Sequence, residues 1–225
     1  MLRVGLTGGL GSGKSTVAAM MREHGLFILE ADAIAREMMQ PGQPVFQQIV
    51  EAFGPSVVQT DGTLNRARLA SLAFGEDRLL ELNRIVHPPV IAEQEQRMGQ
   101  IFTLNPDAVA VVESALIFEA DASGTVPGWR QRFDRIVLVT APDDVKVQRF
   151  LSRTLPAGAT REQRAATERD ARRRLAAQLP DSAKIPLSDA VIDNSGPLDA
   201  TRRQVDLIAR ELSAASALQC PESLQ

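Results

Sequence analysis

The sequence predicts an α/β fold of three layers built on a parallel five-stranded sheet. Three observations carry this. Strand-sized apolar runs recur at 2–7, 27–30, 108–114, 135–140 and 190–193, with helical patterns between them, an alternation that favours parallel strands joined by right-handed crossovers. The first strand runs straight into a glycine-rich loop, Gly8-Gly9-Leu10-Gly11-Ser12-Gly13-Lys14-Ser15. Finally, 225 residues with 44% hydrophobic content suffice for one well-buried domain with insertions.

Each element follows from local pattern. Residues 2–6 are a short buried strand, and 16–23 set Val17, Met20 and Met21 on one helix face. Gly25 is placed to end that helix, and His24 lies where positive charge is favourable, so His24 is read as structural. In the loop between strand and helix, glycines let several backbone N–H groups converge on an anion. The helix start adds its unpaired N–H groups and the positive end of its dipole. Lys14 is placed to neutralise β- and γ-phosphates, and the Ser15 hydroxyl to ligate a bridging Mg²⁺. Gly11, Ser12, Gly13, Lys14, Ser15 and Thr16 therefore form the candidate ATP site.

Between Asp32 and Ala108 lie helical segments at 45–53, 65–74, 78–85 and 89–102, an insertion beside the nucleotide site. A Pro-Ala-Gly turn at 156–158 then leads into a polar helix carrying Arg161, Arg164, Arg169, Arg172, Arg173 and Arg174. It reads either as a mobile cationic lid or as a solvated helix whose Glu162, Glu168 and Asp170 pair with those arginines. The last helix covers 199–212, and the Ala/Ser/Gln-rich tail 213–225 is expected to fray. The expected division is a single domain over 1–212: core 1–32, 104–150 and 185–212, insertion 33–103, lid 151–184.

Composition narrows the chemistry. The only histidines are His24 and His87, which weighs against zinc hydrolases and histidine-based triads, and the single Cys220 excludes a disulfide framework. A net charge of −3 argues against general nucleic-acid binding. No membrane-length apolar run and no signal-peptide pattern occur, so a soluble, cytoplasmic protein is expected; the sequence leaves its oligomeric state open.

In a parallel sheet the ligand sits at the carboxyl ends of the strands, which singles out the loop, Asp32, Glu113 and Asp193-Asn194. The chain has no Asn-Lys-x-Asp guanine motif. Transfer to a small hydroxyl needs a carboxylate near the acceptor, a closing lid and basic groups around the phosphoryl. Asp32 fits a proton acceptor, or an N-cap for a helix at 33–39. Arg149 and Arg153 share a face of a helix at 143–154, as phosphate bridges or as a surface pair. A nucleotide monophosphate kinase and a non-catalytic ATP-switched module remain open alternatives.

A series of motifs narrows this further: residues 5–16, Ala31-Asp32-Ala33-Ile34-Ala35-Arg36, Phe53-Gly54, Asp61-Gly62-Thr63-Leu64-Asn65-Arg66, His87-Pro88, Leu116-Ile117-Phe118-Glu119, Gln148-Arg149 with Arg153, Ala177-Gln178, Lys184 and residues 190–196. In this order the chain resembles the dephospho-coenzyme A kinases from residue 4 to about 205. The resemblance implies a P-loop kinase fold with a helical acceptor-binding insertion. It implies ATP-dependent phosphorylation of the ribose 3′-hydroxyl of dephospho-CoA. By the same resemblance Asp32 is the carboxylate near the acceptor, Lys14, Arg149 and Arg153 surround the transferred phosphate, Thr7, Arg66 and His87 lie on the acceptor side, and Asn194 lies near the adenine of ATP. Two departures stand out: Ala115 where the family usually has Pro, and a lid lengthened over 154–161.

Overall fold

The structure, a computed structural model, describes residues 1–75, 78–126 and 128–219. In chain order the elements are β1 (Leu2–Thr7), α1 (Lys14–Glu23), β2 (Phe27–Glu30), α2 (Ala31–Met38), α3 (Pro44–Phe53), α4 (Arg66–Gly75) and α5 (Leu79–Leu104). Then follow β3 (Val109–Glu113), α6 (Ile117–Ala122), α7 (Trp129–Arg132), β4 (Arg135–Thr140), α8 (Asp143–Thr154), α9 (Arg161–Ala176), α10 (Asp181–Lys184), β5 (Ala190–Asp193) and α11 (Leu198–Gln219). The sheet order is β2-β3-β1-β4-β5 and every pair is parallel. With β1 central, the chain moves to one side and then the other, which opens a crevice above the carboxyl end of β1.

Strand side chains alternate between faces, and each face has its own core. Leu2, Val4, Leu6, Val109, Val111, Val137 and Val139 pack against Val17 and Met21 of α1 and Val205 and Ile208 of α11. The opposite face, with Ala110, Val112 and Ile136, packs on Met98, Ile117, Phe118, Trp129 and Phe133. Gly5 belongs to this second face, because a Cβ there would press into Ile136, Ile117 and Phe133. The insertion has a separate core of Val45, Ile49, Phe53, Val57, Leu64, Leu69 and Leu72.

Three expectations need correction. The two helices at 78–85 and 89–102 are one helix, α5, running through Pro88 and Pro89. An interior proline costs on the order of 3 kcal/mol, but Leu82, Ile85 and Val86 pack into the insertion core and Met98 into the sheet core. Burial on both sides of the proline pair therefore outweighs the local penalty. Second, the tail does not fray after 212: α11 continues to Gln219, with Ser216 fully buried and its hydroxyl donating to the Ala108 carbonyl at 3.0 Å. The expected frayed residues beyond 219, and Cys220, lie outside the described residues. Third, α2 opens at Ala31 and not at 33, so Asp32 sits within its first turn and is not the N-cap.

His24 is structural as read: it ends α1, and its Nε2 meets Asp206 of α11 at 2.8 Å. Among the described residues no helix is long and apolar enough to cross a membrane.

Candidate active site

The phosphate loop is held in shape by two glycines with left-handed backbones. Gly11 (φ +72) and Gly13 (φ +94) could not carry a Cβ: at Gly11 it would strike the Lys146 backbone, at Gly13 the Asn194 amide. Ser12 N–H donates to the Gly9 carbonyl at 3.1 Å and closes the turn. Helix α1 then opens at Lys14 with no side-chain cap and no acidic residue in its first turn, an arrangement that suits an anion.

Lys14 Nζ donates to the carbonyls of Gly8 (2.9 Å) and Gly9 (3.2 Å). Burial lowers its pKa, and the charges of Glu113 and Asp32 work against that shift, while Lys184 and Arg153 add to it. Four charged groups from distant parts of the chain thus converge electrostatically on one ammonium. Ser15 Oγ donates to Glu113 Oε1 at 3.0 Å, and burial raises the Glu113 carboxyl above its ordinary range. This hydroxyl and carboxylate are hard oxygen donors of the kind Mg²⁺ takes alongside phosphate oxygens. No group of three or more His, Cys, Asp or Glu forms a complete metal cage among the described residues.

Asp32 and His87 line one cavity of about 380 Å³ between α2, α5, α6 and the sheet. His87 Nδ1 lies 3.2 Å from Thr125 Oγ1, and burial lowers the imidazole pKa. Gln178 lines the same cavity, and its Oε1 accepts from the Leu10 N–H of the phosphate loop at 3.0 Å.

Thr7 and Arg66 are not brought to that cavity. Thr7 is fully buried at the end of β1. Arg66 is exposed at the start of α4. The motif around Arg66 is a turn and a cap: Asp61 Oδ1 accepts from Thr63 N–H (2.9 Å) and Oγ1 (2.7 Å), and Asn65 Oδ1 accepts from Arg68 N–H at 3.0 Å.

On the nucleotide side, Arg149 donates to the carbonyls of Asn194 (2.8 Å) and Ser12 (3.4 Å), so it is built into the loop and is not half of a surface pair with Arg153. Arg153 is exposed, with its guanidinium 5.8 Å from the Phe150 ring. Asn194 is buried, and its side chain is committed at both ends, to the Ser12 carbonyl and to Thr201. In α9, Arg172, Arg173 and Arg174 pair with Glu168 or Asp170, and Arg172 also with Asp144. Arg161, Arg164, Arg169 and Glu162 form no ion pair among the described residues, so the pairing expected of a solvated helix holds for its second half only.

Several site residues escaped the sequence reading. Arg132 and Gln94 form part of the cavity lining. A fully buried Lys184 meets Glu119 Oε1 at 2.7 Å, without the alignment of a hydrogen bond, and the same oxygen accepts from Leu179 N–H at 3.1 Å. Lys184 and Glu119 were visible as motif residues, but only the fold reveals that they meet. Arg132 precedes its strand, so the carboxyl-end rule passes it by.

A phosphate loop above the central strand of a 2-3-1-4-5 parallel sheet, flanked by a helical insertion on one side and an arginine-bearing hairpin on the other, defines a P-loop kinase. Within that class the chain belongs to the dephospho-CoA kinase family, whose model matches residues 2–200. The dephospho-CoA kinase of Corynebacterium efficiens is 38% identical over 213 residues, 94% of this chain and 98% of the relative. That of Geobacillus kaustophilus is 38% identical over 218 residues, 95% and 98%. A solved protein from Thermus thermophilus superposes with a TM-score of 0.67 at 31% identity, covering 94% of this chain and 97% of that one. The dephospho-CoA kinase of Campylobacter jejuni shares the fold, with a TM-score of 0.65 at 20% identity over 95% and 98%.

Proposed function

We propose that this chain transfers the γ-phosphoryl group of ATP to the 3′-hydroxyl of the ribose of dephospho-CoA, giving coenzyme A and ADP in the last step of coenzyme A biosynthesis. Family membership supports the reaction. The observation that carries the division of roles is the position of Asp32, which lines the acceptor cavity while its charge is felt by Lys14 of the phosphate loop.

In this reading the ribose hydroxyl lies at Asp32, which accepts its proton as the oxygen attacks in line. Residues 11–16 hold the triphosphate through backbone N–H groups. Lys14 and Arg149 spread the charge of the transferred phosphoryl, and Arg153 joins them from the lid side. Ser15, with Glu113 behind it, would hold Mg²⁺, which would supply neutralisation of phosphate charge. Asn194 shapes the wall beside the base of ATP through its backbone, because its side chain is committed elsewhere. His87 contacts the acceptor within the cavity, and Arg66 serves the part of the acceptor that extends over the insertion. Thr7, buried just before the loop, supports the loop. A cytoplasmic location accompanies the function and suits a chain with a single cysteine.

The test is ADP release from Mg·ATP with dephospho-CoA, AMP, CMP, dTMP or no acceptor, with mass spectrometry of the product. Gain of one phosphate on dephospho-CoA alone supports the reading. Turnover with a nucleoside monophosphate instead, or no acceptor-dependent turnover, overturns it.

A further inference from the structure

The cavity shared by Asp32 and His87 has a polar floor that the chemistry above leaves unused. Arg132, the last residue of α7, has a side chain only 14% exposed. One terminal nitrogen donates to Gln94 Oε1 at 2.9 Å. Its Nε is buried with no hydrogen-bond partner, and the nearest carboxylate oxygen, on Glu95, lies 3.9 Å away, beyond hydrogen-bond reach. Gln94 is itself buried, at 3% exposure. Desolvation holds the guanidinium below its ordinary pKa, which marks a charge the protein only partly compensates. A buried donor left without a partner calls for an explanation.

The walls around this floor are apolar: Val90, Ile91, Val112, Ile117 and Phe133. We infer that Arg132 and Gln94 read the edge of the acceptor's nitrogen heterocycle, which enters the cavity base-first and leaves its ribose at Asp32. This rests on the function proposed above and names which part of the acceptor the cavity holds.

Two arguments favour a flat base over a phosphate. A diphosphate would bring two charges and a strongly held water shell between apolar walls with one cation beneath, whereas a heterocycle loses little on leaving water. The floor also offers donors: a guanidinium has no acceptor, and the Gln94 carbonyl already accepts from Arg132, so its amide N–H groups are what remain. Ring nitrogens of a purine supply the matching lone pairs. A site built this way rejects analogues that lack the paired atom, because the buried donor is then stranded.

The test compares kcat/KM for dephospho-CoA and for three analogues in which N1, N3 or N7 of the adenine is replaced by C–H, in the full chain and in Arg132→Met. Turnover of dephospho-CoA by the unmodified chain is measured first. Its absence would reject the proposed function, not the base assignment. With turnover present, one analogue is expected to lose about tenfold or more in the unmodified chain and less than twofold in Arg132→Met. Thermal unfolding of the variant records any structural role of the Arg132–Gln94 bond, which would not depend on the analogue. If Arg132→Met does not fold, Arg132→Lys takes its place, since it shifts the donor and should cut the penalty to under threefold. Analogue penalties unchanged by the substitution would overturn the assignment. So would a variant with a raised KM for dephospho-CoA and an unchanged one for adenosine, because the occupant would then be a phosphate.

Discussion

The Nδ2 of Asn194 donates to the carbonyl of Ser12 at 2.8 Å, joining the loop after the last strand to the phosphate loop near the amino terminus. The other end of the amide accepts from Thr201 Oγ1 at 2.8 Å, and Arg149 adds bonds to both loops. Asn194→Ala strands a buried hydroxyl and weakens the support of the phosphate loop. We expect a loss of about 1–3 kcal/mol in chemical denaturation, since each unpaired buried group costs about that much. ATP titration should show weaker binding in parallel, and unchanged ATP affinity would mean that Arg149 alone sets the loop.

Asp32 lies within the first turn of α2 and makes no capping bond there. Asp32→Asn should therefore spare the fold and cut kcat by about 10²- to 10⁴-fold, the range typical of a lost general base. The dissociation constant for ATP, measured by calorimetry, should stay within about threefold. Equal losses in turnover and ATP affinity would make Asp32 a structural residue.

Lys184 and Glu119 form an ion pair in which the lysine is fully buried. Removing one partner leaves a buried charge uncompensated, so Lys184→Met and Glu119→Gln should each cost about 3–5 kcal/mol. The double substitution should recover much of that loss. A double-mutant cycle in urea measures the coupling, and additive losses would show that the two groups act independently.

His87 introduces a pH dependence of stability. Burial keeps its pKa below the ordinary 6.5. The folded protein thus binds fewer protons than the unfolded chain as pH falls through about 6.5, and stability declines from there downward. His87→Gln, which keeps a polar partner for Thr125, should flatten the fall in melting temperature between about pH 7 and pH 5. An identical fall in the variant would assign the acid limb to other groups.

The carboxyl end of α11 also stabilises the sheet. Ser216 bonds the Ala108 carbonyl just before β3, and Ala215 packs on the core of that face. Ending the chain after Leu212 should cost at least about 1 kcal/mol, roughly 2–4 °C in melting temperature for a protein of this size. A truncated chain that melts at the original temperature would show these contacts to be energetically neutral.

What could be read in advance depended on how local the signal was. The phosphate loop was legible because its job requires glycines and a lysine within eight consecutive residues, and the strand that feeds it has an apolar run of its own. The box Thr160–Gln163 that caps α9 is equally local. Pro88-Pro89 misled because the local rule for proline is correct, yet here burial at both ends of α5 outweighs it. Likewise the tail looked polar and loose, but its register on α11 turns Ser216 inward.

The sequence by itself determined the five strands, the nucleotide loop and the family motifs, all set by spacing within short windows. Its composition also points the chemistry toward carboxylate, lysine and arginine, since only two histidines and one cysteine are present. Only the tertiary structure decided which of these groups share a space: Asp32 and His87 in one cavity with Arg132 and Gln94 beneath them, and Thr7 and Arg66 outside it. The physical reason is that such a meeting depends on how long helices pack across a sheet, where burial summed over many residues outweighs any single local preference.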